Sequence, residues 1–251
     1  MFARERQDAI VALVSQRGRV TVSELAQNFR VTPDCIRKDL RRLDGEGMLR
    51  RVYGGATSVA TAPEHDLRGR LGVRPEQKRA IALKAYEQIV DGETIFIDIS
   101  TTTLALARLL AQGHRRCVVV SNGIDALQEL SANEGLTVIG TGGSVNREFN
   151  GFLGAATCAM LEPISFDKAF LGALGVDLAR GSVSTFDMDD RLVKQTVMRN
   201  SAHRFLLTDS SKFGVRGTHR YASPSDFDTV FMEREDPKLR ALAKAKGARL
   251  A

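Results

Sequence analysis

The sequence predicts an α/β protein in two parts: a small helical N-terminal domain ending in a hairpin, and a C-terminal domain built on a doubly wound, mainly parallel sheet. Three observations predict this class. The net charge of +6 is concentrated at the start, where residues 1–55 hold eleven Lys and Arg against seven Asp and Glu, a net of +4. Short capped helix patterns precede a basic strand before residue 57. From residue 75 onward, apolar strand patterns alternate with helix patterns.

The segment 32–43 predicts a helix with a basic outer face. Thr32 is placed to cap it, and Pro33 can be its first residue, where the missing N–H costs nothing. Asp34 lies near the positive N-terminus of the helix. Apolar residues recur at i, i+4 and i+7 and form one buried stripe: Ile36, Leu40 and Leu43. The outward-facing positions are Cys35, Arg37, Lys38, Arg41 and Arg42. A solvated amphipathic helix has the same pattern, so the flanking sequence decides between the two interpretations.

The flanking sequence favours a DNA-binding role for this helix. An amphipathic helix is predicted at about 4–16, and a second begins at Thr21, which forms a capping box with Glu24. After the helix 32–43, a basic strand at 48–53 runs into a Gly-Gly turn. Two short helices with a tight turn between them, followed by a basic hairpin, are typical of a winged helix-turn-helix domain. The excess positive charge fits a polyanionic partner there.

These residues resemble the DNA-binding domain of the DeoR family of bacterial transcription regulators. The resemblance rests on Ser23–Ala26, Val31–Pro33, Ile36–Leu40, Leu43 and Leu49–Ala56. Cys35 stands where the family commonly has Thr, and Tyr53 where it commonly has His, which implies an altered sequence preference. Arg50 and Arg51 are expected near phosphates or the minor groove, although a solvent-exposed pair accounts for them equally well. The residues predicted to contact double-stranded operator DNA are Thr32, Asp34, Cys35, Arg37, Lys38, Arg41, Arg42, Arg50, Arg51 and Tyr53.

The C-terminal part predicts a parallel sheet covered by helices on both faces. Strands are predicted at 94–98, 117–121, 136–139, 166–174, 204–208 and 228–232, and helices at 76–90, 102–112, 123–132, 152–161 and 187–202. Ligands of such sheets bind beyond the carboxyl ends of the strands. Polar or glycine-rich residues follow four of the predicted strands: Asp98 with Ser100, Thr101 and Thr102; Asn122; Gly142 and Gly143 with Arg147; and Lys212.

Together these strand ends predict a site for an anionic, hydroxylated small molecule, because hydroxyls and free N–H groups at a helix N-terminus suit a phosphate. Each signal also has a simpler explanation. A helix cap alone would explain Ser100, turns alone would explain Asn122 and the glycines, and Lys212 can be a solvated surface residue. The sequence contains neither a P-loop nor a dinucleotide fingerprint.

The same residues in order resemble the sensor domain of the DeoR family, which is similar to ribose-5-phosphate isomerase-like folds and binds phosphorylated sugars or related metabolites. The resemblance adds Lys194 to the predicted ligand contacts, although an i, i+4 surface pair of Asp190 with Lys194 is the alternative. Ser100 stands where the family commonly has Gly and implies crowding of the phosphate or a changed loop. Phe186-Asp187 resembles the glycerol-3-phosphate repressor branch.

The sequence predicts a winged helix-turn-helix domain at 1–57, a linker at 58–74, a sensor domain at 75–235 and a basic C-terminal helix or tail at 236–251. Neither a disulfide nor a zinc site is expected from three widely spaced cysteines, and the four histidines lack metal-ligand spacing. Without a signal peptide or an apolar run of membrane-spanning length, the chain is expected to be cytoplasmic.

The sequence and the resemblance together predict a transcription repressor of carbohydrate metabolism genes, relieved by a phosphorylated sugar. The protein is expected to be a homo-oligomer. We expect neither a cofactor nor catalytic residues. Two other classes stay open. One is a sugar-phosphate isomerase or hydrolase with a DNA-binding head, in which Asp98, Asp209 and Lys212 supply acid–base groups. The other is a ligand-independent DNA binder whose pocket is closed by Ser100.

Overall fold

A computed structural model of the chain describes residues 3–17, 19–46, 48–52, 54–58 and 67–251. The chain divides into two compact units, Met1–Arg70 and Leu71–Ala251. Residues 59–66 of the predicted linker lie outside the described residues, and a short helix occupies Leu67–Arg70 (α4). Among the described helices, none combines the length and apolar character that a membrane span requires.

The N-terminal unit is a winged helix-turn-helix. Its elements are α1 (Ala3–Arg17), β1 (Arg19–Thr21), α2 (Val22–Phe29), α3 (Pro33–Gly45), β2 (Leu49–Val52) and β3 (Gly55–Ser58). The strands form an antiparallel sheet in the order β1-β3-β2. This confirms the predicted domain type, and α3 is the predicted basic helix. Strand β1 was not predicted, because its three residues show no strand pattern of their own.

Local capping explains where α2 and α3 begin. Thr21 and Glu24 form the predicted capping box, in which the Thr21 hydroxyl accepts from the Glu24 N–H at 3.2 Å. Arg30 takes a left-handed conformation after α2, and its N–H bonds the carbonyls of the last turn. The Thr32 hydroxyl then accepts from the Cys35 N–H at 3.3 Å at the start of α3. The inner stripe of α3 packs in a core with α1 and α2: Ile10, Val14, Leu25, Ile36, Leu40 and Leu43.

The C-terminal unit contains a six-stranded, all-parallel sheet in the order β14-β12-β9-β4-β5-β6. The helices are α5 (Pro75–Tyr86), α6 (Thr101–Gln112), α7 (Ile124–Leu130), α8 (Ala155–Leu161), α9 (Met188–Arg199) and α10 (Pro237–Ala245). The strands are β4 (Thr94–Ile97), β5 (Val118–Ser121), β6 (Thr137–Gly140), β7 (Ser144–Asn146), β8 (Gly151–Leu153), β9 (Phe166–Gly172), β10 (Gly175–Asp177), β11 (Ser182–Thr185), β12 (Ser201–Leu207), β13 (His219–Ala222) and β14 (Thr229–Phe231).

Helices cover both faces of this sheet, as predicted. Ile95 and Ile97 of β4 pack in the core with α5, α6 and α7, whereas Phe96 between them packs in the core with α8, α9 and α10. Alternate residues of a strand point to opposite faces, so each strand contributes to both cores. The C-terminal segment is part of this unit: Ala243, Ala248 and Leu250 are buried.

Two antiparallel pieces depart from the predicted alternation. Strands β7 and β8 form a hairpin, and β10, β11 and β13 form a small sheet. The helix predicted at 152–161 is therefore shorter and follows β8, because Phe152 belongs to that strand, where it pairs with Val145 of β7. The Phe152 N–H donates to the Asn122 carbonyl, after β5, at 2.7 Å. The chain end also pairs with β14, where the Val230 N–H donates to the Arg249 carbonyl.

Candidate DNA-binding surface and effector site

The outer face of α3 carries the predicted DNA contacts. Asp34, Arg37, Lys38, Arg41 and Arg42 are exposed, and the Cys35 side chain is half-buried beside them. Thr32 is exposed as well and is held at the helix start by its cap. A helix with an exposed basic face and a packed inner face can enter the major groove while it stays fixed to its domain.

Two of these arginines are each paired with a nearby carboxylate, one at either end of α3. Arg37 Nη1 lies 2.5 Å from Asp34 Oδ1 at the N-terminal end, and Arg42 Nε lies 2.8 Å from Glu46 Oε1 at the C-terminal end. Within the described chain, Lys38 and Arg41 form no ion pair, which leaves both cations available to phosphates.

The buried side of α3 holds a charge that the sequence interpretation did not identify. Asp39 is buried between α3 and α1, where Oδ2 accepts from Arg6 Nε at 2.7 Å and Oδ1 from Gln7 Nε2 at 2.8 Å. The side-chain hydrogen bond to Asp39 raises the pKa of Arg6, against the effect of burial. Both carboxylate oxygens are satisfied by α1, so the pair fixes how the basic helix lies on its domain.

The wing places Arg50 and Arg51 on β2. The Arg51 side chain is exposed, and its backbone N–H donates to Asp44 Oδ1 at 3.0 Å. This bond ties the strand to the end of α3. The predicted contact of Tyr53 lies outside the described residues, as does the side chain of Arg50.

The carboxyl ends of the parallel strands bring the predicted effector residues to one edge of the sheet. Asp98 follows β4, Asn122 follows β5, Thr141 follows β6 and Thr208 follows β12. All four are buried. Within the described chain, four of their polar atoms have no hydrogen-bond partner: Asp98 Oδ1, Asn122 Oδ1, Thr141 Oγ1 and Thr208 Oγ1. Buried polar atoms are usually paired, so this edge is suited to a polar ligand. Thr141 and Thr208 were not among the predicted contacts.

Ser100 caps α6, as the simpler interpretation expects. Its hydroxyl accepts from the Thr103 N–H at 3.1 Å, and its backbone is extended, with φ −151°. The side chain also packs against Gly172 of β9, where an added Cβ would lie 2.5 Å from Ser100. Ser100 is thus accommodated by a glycine opposite it and does not distort the backbone. Thr101 and Thr102 are buried in the first turn of α6.

The glycine pair lies between β6 and β7. Gly142 and Gly143 both have positive φ, and a Cβ on Gly143 would lie 2.4 Å from Thr157 Oγ1, which itself donates to the Gly142 carbonyl. Glycine is therefore required for this turn. Arg147 is exposed in the turn between β7 and β8. Strand β8 lies against the end of β5, where Asn122 Nδ2 donates to the Phe152 carbonyl at 3.1 Å.

Lys194 is buried on α9 between two carboxylates. Its Nζ forms an ion pair with Asp98 and lies 3.1 Å from Asp190 Oδ1. The i, i+4 pair considered as an alternative for Lys194 therefore exists, but it does not lie on the surface, because both residues are buried against the sheet. Asp98 also accepts from the Gly172 N–H at 2.9 Å, and Asp190 from the Thr185 hydroxyl at 2.6 Å.

Burial and neighbouring charges shift the pKa values of this cluster. Burial raises the pKa of Asp190 to about 6, although Lys194 opposes the shift. Burial acts to lower the pKa of Lys194, but Asp190 and Asp98 outweigh it and raise that pKa. Burial also raises the pKa of Tyr221, whose hydroxyl donates to the Gly172 carbonyl. Lys194 is thus engaged with two carboxylates.

The remaining predicted contact, Lys212, lies in a 3-10 turn at Ser210–Lys212 and is half-buried. Asp209 caps this turn by accepting from the Ser211 N–H at 2.9 Å. Arg74 Nη1 lies 3.6 Å from the same carboxylate. Asp187 caps α9, and Phe186 before it stacks on Phe149 with ring centroids 4.6 Å apart, which gives both residues of the Phe-Asp pair a structural role. No group of three or more His, Cys, Asp or Glu suited to a metal occurs in the described residues.

Comparison with known proteins identifies both units. The chain matches the model of the DeoR-like helix-turn-helix domain over residues 6–62 and that of the DeoR C terminal sensor domain over residues 73–234. It is 34% identical over 240 residues to the glycerol-3-phosphate regulon repressor of Escherichia coli, which covers 94% of this chain and 93% of that protein. It is 31% identical over 237 residues to the HTH-type transcriptional regulator GolR of Listeria innocua, which covers 93% and 91%.

A solved structure of ribose 5-phosphate isomerase A from Methanocaldococcus jannaschii aligns with 17% identity and a TM-score of 0.42, over 55% of this chain and 54% of that one. The two matched family domains and the full-length relatives carry the assignment. The chain therefore belongs to the DeoR family of transcriptional regulators, with a helix-turn-helix DNA-binding domain joined to a sensor domain.

Proposed function

We propose that this protein represses genes of carbohydrate metabolism by binding operator DNA through α3 and the wing, and that a phosphorylated sugar or related metabolite relieves repression. The observation that carries the second half is the set of four buried polar atoms at the carboxyl edge of the sheet that have no partner among the described residues. Binding there shifts the population from DNA-competent to DNA-incompetent arrangements, because an effector acts only through its different affinity for the two.

The chemistry of this edge favours a ligand with hydroxyl groups. Asp98 Oδ1 and Asn122 Oδ1 are acceptors and need donors, whereas the Thr141 and Thr208 hydroxyls can donate or accept. The first turn of α6 and the turn at Gly142 and Gly143 offer backbone N–H groups to an anion. A sugar phosphate combines the two kinds of group.

The DNA-binding unit is proposed to act as a homo-oligomer in the cytoplasm. A two-fold assembly places two recognition helices on two half-sites, so a palindromic or repeated operator is expected. Catalysis is not part of the proposal. Of the acid–base groups named for the enzyme alternative, Asp98 pairs with Lys194 through one carboxylate oxygen and Asp209 caps a turn.

The test begins with selection of DNA from a random duplex pool by the purified full-length protein. The selected DNA is then bound in a fluorescence anisotropy titration, and glycerol 3-phosphate and a panel of pentose and hexose phosphates are added. We expect at least one of them to weaken DNA binding about 5- to 150-fold, the usual range of allosteric coupling.

Two results would contradict the proposal. Selection of no preferred sequence would remove sequence-specific DNA binding. Selection of a sequence that no sugar phosphate releases would favour the ligand-independent DNA binder. Assay of the same phosphates for turnover tests the isomerase alternative, and product formation would establish it.

A further inference from the structure

The ion pair between Asp34 and Arg37 lies at the N-terminal end of the exposed face of α3. Arg37 Nη1 is 2.5 Å from Asp34 Oδ1, with 81% of the Asp34 side chain and 56% of the Arg37 side chain exposed. Asp34 lies in the first turn, directly after the Thr32 cap and Pro33. In helix-turn-helix proteins this end of the recognition helix meets the base edges in the major groove.

The position of Asp34 in the first turn favours the helix, because a carboxylate interacts with the positive N-terminal end, but stability does not account for its pairing with Arg37. Exposed ion pairs contribute little to folding, because both charges are solvated and both side chains lose freedom. A carboxylate on a surface that meets phosphates also opposes binding by its charge. Asp34 therefore lowers general affinity for DNA, and its pairing with Arg37 points to a role in recognition.

We propose that Arg37 reads a guanine in the operator and that Asp34 holds the Arg37 guanidinium in the orientation that this contact needs. This inference rests on the proposed binding of operator DNA by α3. A guanidinium carries five N–H donors in a planar fork, and the bond to Asp34 uses one of them. The free edge of the fork matches the O6 and N7 acceptors of guanine, which arginine binds in a bidentate manner.

The other cations of α3 differ from Arg37 in ways that supply controls. Lys38 is exposed and forms no ion pair within the described chain, so it suits a phosphate as a point charge. Arg42 pairs with Glu46 in the same chemistry as Arg37 with Asp34, but at the opposite end of the helix. Removal of Glu46 therefore repeats the loss of a carboxylate partner away from the base-reading end.

The experiment is binding-site selection from a random duplex pool, followed by anisotropy titrations on the selected site and on its single-base variants. The full-length wild type is compared with Arg37→Lys, Asp34→Ala, Glu46→Ala and Lys38→Gln. We expect Arg37→Lys to lose preference for guanine at one position of each half-site, about 5- to 150-fold, because lysine keeps the charge but not the fork. Asp34→Ala should weaken preference at that same position.

The controls should leave the selected sequence unchanged. Glu46→Ala should bind the wild-type sequence with the same base preferences. Lys38→Gln should bind all sequences more weakly by a similar factor and reduce the slope of log affinity against log salt by about one.

Three results would overturn the inference. Arg37→Lys with wild-type preferences would show a phosphate contact instead of a base contact. Asp34→Ala with higher affinity for every sequence and unchanged preferences would show that Asp34 only repels DNA. A lost preference at a different base pair would show that Asp34 reads a base by itself. Failure of the wild type to select any sequence would instead remove the proposed function, so the two failures are distinguishable.

Discussion

Lys194 of α9 forms a buried ion pair with Asp98, which directly follows β4 at the carboxyl edge of the sheet. The two residues are 96 positions apart in sequence. The pair orients one Asp98 oxygen toward the protein and leaves the other without a partner in the described chain. Lys194 thus holds Asp98 at the proposed effector site, while its ammonium group is engaged by Asp98 and Asp190.

We expect Lys194→Met to lower the free energy of unfolding by about 3–5 kcal/mol, since removing one partner leaves buried carboxylates uncompensated. Urea denaturation of the full-length protein at pH 7 measures the change. The control is Arg108→Met, which breaks the exposed pair with Glu129 and should cost less than about 1 kcal/mol. Equal, small losses in both variants would contradict a buried role for Lys194.

The buried cluster should also make stability depend on pH. The folded state raises the pKa of Asp190 from its ordinary value of 3.8 to about 6, mainly by burial. A raised pKa means that the folded state binds the proton more tightly than the unfolded state does. The protonated Asp190 therefore stabilises the fold most below about pH 4, and this stabilisation is lost as pH rises through 6.

Asp190→Asn removes the titrating group and should flatten this dependence. We expect the urea midpoint of the wild type, relative to that of Asp190→Asn, to be highest near pH 4 and to fall as pH rises through 6. At pH 7 this relative midpoint should be lowest. A difference that stays constant across that window would mean that Asp190 titrates as it does in the unfolded chain.

The Thr141 hydroxyl, which has no partner in the described part of the chain, should cost stability and serve effector binding. Thr141→Val keeps the shape and removes the hydroxyl, so we expect unfolding free energy to be equal or higher by about 1 kcal/mol. The same variant should need more sugar phosphate to release DNA.

Thr103→Val is the matched control, because the Thr103 hydroxyl donates to the Asp98 carbonyl at 2.5 Å. Its loss should destabilise the protein by about 1–3 kcal/mol. If Thr141→Val is destabilised as much, the Thr141 hydroxyl has a structural partner and is not reserved for a ligand.

Local signals made the helices of the DNA-binding domain predictable. The Thr21 capping box and the Thr32 cap with Pro33 act within one turn of chain, so the sequence contains the whole interaction. The meeting of Asp98 and Asn122 at one edge of the sheet was predictable for a related reason: once strands alternate with helices, the parallel arrangement brings their carboxyl ends together.

Long-range pairings account for what the sequence did not reveal. The partner of Asp39 is Arg6, which lies 33 positions away in sequence. The sequence of α3 alone therefore shows Asp39 only as one more charged residue of that helix. Strand β11 pairs with β13 across more than thirty residues, and both are short. The surface interpretation of Asp190 with Lys194 was wrong because their spacing sets the contact but not its burial.

Cys35 offers a chemical probe of the recognition surface. It lies on α3 next to Asp34 and is half-buried, whereas Cys117 is buried, with a pKa raised to about 11 mainly by that burial. Since a thiol reacts as its thiolate, we expect a maleimide to label Cys35 and to leave Cys117 unmodified in the folded protein.

DNA selected by the protein should slow the labelling of Cys35 at least several-fold, because the major groove would enclose it. Mass spectrometry after timed labelling measures this site by site, and Cys35→Ala identifies the protected peptide. Labelling of Cys35 at the same rate with and without bound DNA would place this face of α3 away from the duplex.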